Sequence, residues 1–311
     1  MGASGDLRYP LVDVGLSRRL ERAEAHANTR FVESRSRLAP AVRATWTVVD
    51  GAYAMFDGVG SPLTQTFCLG IFGPPTMEGL ESIEAFYASR GCDAFHEVSP
   101  LADPSTLGRL SERGYRPCEL TSVLYLPLGS VAAGDETGPA VAPVDNAVPL
   151  VDTVVPFDHD ASAPAGHTVQ ARLARAHELD AWAAVAARGW SQSPEVQGFM
   201  KAFGEITTGA VDASLFIAEV DGQPMATGLA VLHEDVALLA GASTVPEARG
   251  RGAQSALLTA RLNYAAEQGC TLAMMCAGPG SASQRNAERR GFRIAYTRIK
   301  WFKPLSHRER G

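Results

Sequence analysis

Two stretches of this chain end alike, which indicates that one fold has been duplicated. Gly91-Cys92 is matched by Gly269-Cys270, and Arg113-Gly114-Tyr115 is matched by Arg290-Gly291-Phe292. The apolar patterns around these residues follow the same order in both stretches, so each copy is expected to end helix–strand–helix–strand–strand. A repeat of this size duplicates a whole domain, whereas a solenoid repeat is much shorter.

Hydrophobic periodicity and turn residues predict the elements of each copy. In the first half they are a helix over Ser17–Arg35, strands over Trp46–Val49 and Phe67–Phe72, a helix that Thr76 caps, a strand over Ala94–Val98, a helix over Ser105–Arg113 and a strand over Thr121–Leu126. In the second half they are a strand over Thr168–Leu173, helices over Glu178–Arg188 and Pro194–Ile206, and a three-strand meander over Ser214–Glu219, Met225–His233 and Val236–Ser243.

Between about Pro127 and Gly166 the composition changes to Pro, Gly, Ala, Ser and Asp, which is typical of a linker. We therefore predict a first domain over residues 1–130, a linker over 131–166 and a second domain over 167–311. A chain of 311 residues is long enough for each domain to bury a core of its own.

Composition limits the class of function. The formal net charge is −6, which argues against a general affinity for nucleic acid because such binding needs a basic face. The first residues lack a signal-peptide pattern, and no apolar run reaches the length of a membrane span. The cysteines are odd in number and have no metal-ligand or CxxC spacing, so we expect reduced thiols and a cytoplasmic protein. They are Cys68, Cys92, Cys118, Cys270 and Cys276.

The segment Ala240–Leu262 carries the clearest chemical signal. An apolar strand ends at about Ser243, Pro246 prevents its continuation, and the run Arg-Gly-Arg-Gly-Ala-Gln leads directly into an amphipathic helix. Small residues let the backbone approach a bulky anion, and the first amides of a helix point outward as free donors. With the positive charges of Arg249 and Arg251, this arrangement is suited to binding a pyrophosphate without a metal ion.

Other phosphate loops fit this segment less well. A Walker loop needs a Gly-Lys-Ser/Thr sequence, and this loop has no lysine. A dinucleotide fingerprint places Ser255 where its third glycine belongs, and it opens a βαβ unit rather than following a meander. The loop could also be only an exposed basic start of a helix, since isolated glycine motifs are weak signals.

The segment resembles the signature V-x-P-x-x-Q/R-x-x-G-x-G/A of the GNAT superfamily of acyl-CoA-dependent N-acyltransferases. Thr244 takes the first position, Pro246 and Arg249 match, and Gly252 matches the first required glycine. Gln254 departs from the last Gly/Ala position. The family's second signature ends in a helix followed by Gly-Phe, here Gly291-Phe292, and the resemblance covers about residues 168–303.

The resemblance implies an α/β fold of two tandem GNAT-like domains, each with a mostly antiparallel twisted sheet flanked by helices. It implies acetyl-CoA or coenzyme A as co-substrate, no metal ion, and an amine as acceptor. Thr244 and Val245 would lie along the pantetheine arm, the amides of Arg251 to Gln254 would bind the pyrophosphate, and Ala242 or Ser243 would polarise the thioester carbonyl. The candidate coenzyme-binding residues are Ser243, Thr244, Val245, Arg249, Gly250, Arg251, Gly252, Ala253 and Gln254.

The catalytic acid and base are not evident. Family members often place a tyrosine four residues before the Gly of Gly-Phe, and that position is Ala287 here. Cys276 and Tyr296 could replace it, although each fits a packing role better. The strand over Val236–Ser243 carries no carboxylate that could act as base.

The first copy lacks an equivalent loop. Aligning Gly91 with Gly269 places Pro74 and Pro75 where Gly252 and Ala253 stand, and proline has no amide hydrogen to donate. We therefore predict a degenerate first copy and one working site, which transfers an acetyl group to a small-molecule amine. The missing acid and base support one alternative, a coenzyme-binding regulator without turnover. Another alternative is an acyltransferase that acts on a peptide or protein amine.

Overall fold

The computed structural model describes residues 9–129, 167–190, 202–210 and 212–304. Seven helices and eleven strands occur in these ranges, beside short 3-10 turns. The helices are α1 (Val14–Leu38), α2 (Met77–Ala88), α3 (Ser105–Glu112), α4 (Leu179–Gly189), α5 (described over residues 202–208), α6 (Ala253–Glu267) and α7 (Ala282–Arg289). The strands are β1 (Thr45–Val49), β2 (Ala52–Phe56), β3 (Thr66–Phe67), β4 (Ala94–Val98), β5 (Arg116–Pro127), β6 (Val169–Leu173), β7 (Ala213–Val220), β8 (Gln223–His233), β9 (Val236–Thr244), β10 (Leu272–Ala277) and β11 (Arg293–Lys303).

All eleven strands belong to one continuous sheet of order β1-β2-β3-β4-β11-β5-β10-β9-β8-β7-β6. β3 pairs with β4 and β9 pairs with β10 in parallel, and the other neighbouring strands are antiparallel. The mixed α/β class is therefore as predicted, but the two halves do not form separate sheets.

The halves are joined by an exchange of their last strands. β5, the last strand of the first half, lies between β10 and β11 of the second half. β11 in turn lies between β4 and β5 of the first half. The units β4-α3-β5 and β10-α7-β11 are thus related by an approximate two-fold axis. Each half contributes its last strand to the part of the sheet that the other half forms.

Helices cover both faces of the sheet. Helix α1 begins where the Asp13 side chain accepts a hydrogen bond from the Leu16 amide, and its buried stripe includes Leu20, Ala23 and Ala27. Helices α1 and α4 pack on one face of the sheet. Helices α6 and α7 pack on the opposite face beside the second half, and α2 and α3 do so beside the first. At 25 residues α1 is long enough to contact β1 and β2 as well as β8 and β9, so it bridges the halves.

A buried ionic cluster lies under α1 where the halves meet. We call it the seam cluster, and its members are Glu21, Glu24, Glu97, Arg298 and Lys300. They come from α1, β4 and β11, so both halves contribute to it. Burial raises the pKa of Glu21 to about 7, although the positive charge of Arg298 opposes this shift.

The predicted linker and predicted domain ends lie largely outside the described residues, and the predicted domain bounds stay a prediction. Most of the helix predicted over Pro194–Ile206 also lies outside them. The prediction of a strand over Phe67–Phe72 is wrong beyond Phe67, because Cys68 and Gly70 both have positive φ angles that turn the chain away from the sheet.

Candidate functional site

The predicted coenzyme loop follows β9, and β9 contains a β-bulge shortly before its end. Ala240 pairs with Leu229 and Ser243 pairs with Thr227, so Gly241 and Ala242 lie opposite the single residue Gly228 of β8. Gly241 has a φ angle of 60°, the left-handed conformation that the first residue of this kind of bulge adopts. A bulge leaves its extra residue without a partner in the ladder, so β9 has one residue here that is not paired with β8.

The bulge also changes which side chains face which helix. Before it, Leu238 and Ala240 face α1 and α4, whereas Ala237 and Leu239 face α6. After it, the odd-numbered Ser243 faces α4 instead, where its hydroxyl donates to the carbonyl of Ala186 at 3.0 Å. One inserted residue reverses the alternation of a strand, and this places Thr244 on the α6 side.

Next to this bulge, β9 separates from its other neighbour in the sheet, β10. β9 and β10 pair in parallel only from Val236 to Leu238 and from Leu272 to Met274. Both strands continue beyond that point, to Thr244 and to Ala277. In the described part of the chain a gap therefore opens between the two strands toward the carboxyl end of β9, where the coenzyme loop begins.

The loop itself is shaped for close approach to its main chain. A short 3-10 turn over Pro246–Ala248 leads to Gly250 and Gly252, both with positive φ angles. Gly252 precedes α6 with a φ angle of 86°, and an added Cβ there would meet no protein atom within 4 Å. The space beside Gly252 is open, so a ligand could reach the backbone.

The start of α6 has no side-chain cap within the described residues. Instead the Gln254 side chain donates to the Thr244 hydroxyl at 2.6 Å, which ties the helix start to the end of β9. The Ala256 amide donates to the Gly252 carbonyl at 3.0 Å, and the helix amides before it lie at the uncapped, positive end of the helix dipole. The departure at Gln254 thus has a structural role that leaves its backbone amide in place.

The two arginines of the loop have different surroundings. Arg249 donates from Nη2 to the Gly189 carbonyl at 2.9 Å and from Nε to the Thr244 carbonyl at 3.4 Å. Its guanidinium therefore holds the loop against the end of α4. Arg251 is half-buried beside the glycines and adds positive charge at the helix start. Val245, by contrast, is fully buried in the core on the α6 side.

The side chains considered for proton transfer belong to the packing of the molecule. The Tyr296 hydroxyl donates to Glu21 Oε1 at 2.8 Å, and burial raises its pKa well above the ordinary value. Cys276 Sγ contacts Glu24 Oε2 at 3.4 Å, and burial raises the pKa of this thiol as well. Ala287 is buried in the core. Both titratable groups are hence weak proton donors that face α1 and the seam cluster.

The aromatic residues Trp182, Trp190 and Phe199 follow the first strand of the second half in sequence, and they differ in what the structure shows of them. Trp182 is fully buried and donates from Nε1 to the Phe216 carbonyl at 3.0 Å, so it is a core residue. Trp190, at the end of α4, is 42% exposed. Phe199 lies outside the described residues.

The corresponding helix start in the first half is occupied by the chain's own side chains. Thr76 caps α2 by accepting a hydrogen bond from the Gly79 amide at 2.9 Å. The Asp50 carboxylate accepts from the Thr76 amide at 2.8 Å and from its hydroxyl at 2.7 Å. A carboxylate therefore already lies at the positive end of this helix, beside Pro74 and Pro75.

Sequence reasoning missed Asp50. It lies in a Val-Asp-Gly turn that is repeated at Val220-Asp221-Gly222, so the internal repeat offered a signal for it. Asp50 and Asp221 both adopt positive φ angles in hairpin turns. In the second half, however, the Asp221 carboxylate accepts from the Thr168 amide and leaves the start of α6 free of a carboxylate contact among the described residues.

We expect one coenzyme A site per chain. Titration calorimetry should give a stoichiometry of one, because Asp50 and Thr76 block the first helix start by charge and by hydrogen bonding. Replacing both, as Asp50→Asn with Thr76→Ala, should leave the stoichiometry at one, since the prolines still remove two donors. A stoichiometry of two for the wild type would contradict the degenerate first copy.

The described residues contain neither a membrane-spanning helix nor a cluster of metal ligands. No helix there combines the length and the apolar character needed to cross a membrane. No group of three or more His, Cys, Asp or Glu side chains there is arranged to hold a metal ion.

Residues 159–283 match the family profile described as "Acetyltransferase (GNAT) domain". A search of curated protein sequences found no match. A solved GCN5-related N-acetyltransferase from Kribbella flavida is 18% identical over 91% of this chain and 96% of its own, with a TM-score of 0.54.

A solved tandem GNAT protein from the clavulanic acid biosynthesis pathway is 14% identical. The alignment covers 93% of this chain and 94% of that chain, with a TM-score of 0.52. At these identities the likeness concerns the fold. It confirms the predicted class, a tandem mixed α/β architecture over nearly the whole length.

Proposed function

We propose that this protein is an acyltransferase that transfers an acetyl group from acetyl-CoA to the amine of a small molecule, a proposal supported by the match of residues 159–283 to the acetyltransferase profile. One observation carries the proposal. An uncapped helix start, two left-handed glycines and a bulged strand end adjoin the gap between β9 and β10. This arrangement can bind a pyrophosphate and place a thioester beside free main-chain amides.

The residues proposed to hold the coenzyme act mainly through their backbone. The amides from Arg251 to Gln254 would donate to the pyrophosphate at the positive end of α6; the Arg251 amide, which donates to the Ala248 carbonyl at 3.4 Å, would exchange that weak bond for the ligand. The main chain from Ser243 to Val245 would lie along the pantetheine arm. The side chains of these residues are buried or hydrogen-bonded within the protein, so the ligand would meet their backbone instead. Gly250, Gly252 and Ala253 keep the loop narrow, and Arg249 fixes it to α4.

The amide of Ala242 or Ser243 is proposed to polarise the thioester carbonyl. The neutral amine would then form a bond to the carbonyl carbon while the carbon–sulfur bond breaks; the nitrogen would lose one proton to solvent, and the leaving thiolate would take up one proton from solvent. Hydrogen bonds that are fixed before the reaction stabilise the developing oxyanion without further reorganisation. Acetyl-CoA supplies only the activated acyl group.

The test is turnover with a panel of small primary amines and acetyl-CoA. Release of the free thiol together with the mass gain of one acetyl group on an amine is the expected result. A peptide with a free amino group serves as a second acceptor class. Acetylation of the peptide alone would favour the peptide acyltransferase, and binding of acetyl-CoA without turnover on any amine would favour the regulator.

Binding is measured separately from turnover. Acetyl-CoA and coenzyme A should each raise the melting temperature by several degrees, since ligand at 100 times Kd adds about 2.7 kcal/mol to the stability of the folded state. Adenosine at the same concentration is the control, because it lacks the pyrophosphate. A melting temperature that stays constant in millimolar acetyl-CoA would rule out the proposed site.

A further inference from the structure

Arg261 is a buried arginine on α6 that forms no ion pair with a described carboxylate. Arg261 is 3% exposed, and none of the ion pairs among the described residues includes it. Burial alone lowers its pKa to about 10, and no neighbouring carboxylate counteracts this effect. The guanidinium still carries its charge near neutral pH, so a positive charge is buried in the second half without a partner of opposite sign among the residues that the structure describes.

The guanidinium is held by main-chain carbonyls of two strands. Nη1 donates to the carbonyls of Leu229 on β8 and Ala240 on β9, both at 3.3 Å. Nε donates to the Leu257 carbonyl of its own helix at 3.2 Å. The planar group thus contacts both β8 and β9 from the face of the sheet that α6 covers.

These two carbonyls adjoin the bulge of β9. Leu229 pairs with Ala240, and the next residues are Gly228 on β8 and the bulge residues Gly241 and Ala242 on β9. A Cβ added at Gly228 would lie 3.1 Å from both Cζ and Nη1 of Arg261. The guanidinium therefore rests on the one residue that faces the bulge, and it fits there because that residue is glycine.

The position is energetically unfavourable for an arginine. Burying a charge without an ionic partner costs free energy, and a hydrophobic residue of similar size in such a place is often neutral or stabilising. Local violations of this kind concentrate at functional sites. The bulge beside Arg261 provides the main-chain amides proposed to contact the thioester.

We propose that Arg261 is a positioning residue for the thioester carbonyl, because it fixes the carbonyls beside the Gly241–Ala242 bulge and thereby aims the bulge amides into the gap between β9 and β10. The inference rests on the proposed function. Its buried positive charge also lies beside the place where the oxyanion develops, and this charge adds to the effect of the amides.

The test measures the carbonyl itself. Acetyl-CoA labelled with carbon-13 at the acetyl carbonyl is bound to the wild type, to Arg261→Met and to Arg261→Lys, and the carbonyl stretching frequency is recorded by difference infrared spectroscopy. In the wild type we expect a frequency below that of free acetyl-CoA, since hydrogen bonding weakens the C=O bond. In Arg261→Met it should return toward the free value, and Arg261→Lys should lie between them because it keeps the charge.

Turnover provides a second readout with any amine that the wild type accepts. Arg261→Met should lower kcat about 10- to 100-fold, less than the roughly 100- to 1,000-fold loss expected for an oxyanion donor itself because the arginine acts through the bulge amides, while KM for acetyl-CoA changes less than about threefold. The unfolding midpoint should stay close to that of the wild type. A purely structural arginine would instead lower the midpoint and the affinity together.

Gly228→Ala displaces the guanidinium while the arginine stays in the chain. It should reproduce most of the change in carbonyl frequency seen in Arg261→Met. The double variant Gly228→Ala with Arg261→Met should lose no more kcat than Arg261→Met alone, because both changes act through one contact. Additive losses would overturn the inference, and so would an unchanged carbonyl frequency in Arg261→Met. Failure of the wild type to bind acetyl-CoA would overturn the proposed function instead.

Discussion

Replacing Arg298 with methionine is expected to lower the free energy of unfolding by about 3–5 kcal/mol, the cost of leaving buried charges without their partner. Arg298 is 1% exposed and forms ion pairs with Glu21 at 3.4 Å, with Glu97 at 3.5 Å and with Glu24. Methionine fills a similar volume but leaves these carboxylates facing one another. Urea unfolding followed by circular dichroism measures the loss, and both halves should unfold in one transition because they share strands.

The loss should depend on pH. Without Arg298 the pKa of Glu21, which burial already raises to about 7, rises further above that of the unfolded chain. A carboxyl with a raised pKa takes up a proton in the folded state, so stability is kept at low pH and lost as pH rises through the folded pKa. The deficit of Arg298→Met should therefore be larger at about pH 8 than at about pH 5.

An exposed arginine provides the control for Arg298. Arg30 forms ion pairs with Glu33 at 3.0 Å and Asp212 at 2.7 Å, but its side chain is 45% exposed. Arg30→Met should cost less than about 1 kcal/mol because solvent screens such pairs. Equal losses for Arg298→Met and Arg30→Met would contradict the assigned role of the seam cluster.

The substitution Gly252→Val should weaken coenzyme A binding about 10- to 150-fold, equivalent to about 1.5–3 kcal/mol. Gly252 has a φ angle of 86°, which a β-branched residue resists, and its Cβ would enter the open space where the pyrophosphate is proposed to lie. The fold should tolerate the change because no protein atom lies within 4 Å of that Cβ. Affinity is measured by calorimetry, with circular dichroism as the folding control.

A matched glycine separates backbone strain from ligand contact. Gly269 follows the other end of α6 with a φ angle of 84°, and an added Cβ there would also meet no atom within 4 Å. Gly269→Val should therefore carry a similar strain but leave coenzyme affinity unchanged. Arg251→Ala should weaken binding less than Gly252→Val, since a side chain at a helix start is screened by solvent. If Arg251→Ala lost affinity and Gly252→Val did not, side-chain charge rather than the backbone would hold the ligand.

Elements with strong local signals were predicted well. The strand over Ala94–Val98 has the predicted bounds, and the meander of the second half differs from its prediction by at most two residues at each end. Thr76 caps α2 as predicted, because a threonine before an apolar helical stripe satisfies a free amide locally. The strand β2 was missed, although Asp50-Gly51 marks its hairpin as Asp221-Gly222 marks the later one.

The candidate site was predicted in part. The order of strand, glycine loop and helix is local, so the position of the loop and the open space at Gly252 followed from residue types. The bulge at Gly241–Ala242 was not predicted, because its position depends on how β9 pairs with Gly228 and its neighbours on β8. The bulge in turn decides that the Ser243 side chain contacts α4 and not the coenzyme loop.

The sequence alone indicated a duplicated α/β chain, its helix starts and turns, and one loop suited to a pyrophosphate. These features depend on hydrogen bonds and side-chain periods within about ten residues, which the residue types largely specify. The exchange of β5 and β11 between the halves, the burial of Arg298 and Arg261, and the carboxylate at the start of α2 became evident only in the folded chain. Each joins residues distant in sequence, and which of many possible partners they meet is determined by the packing of the whole sheet and its helices.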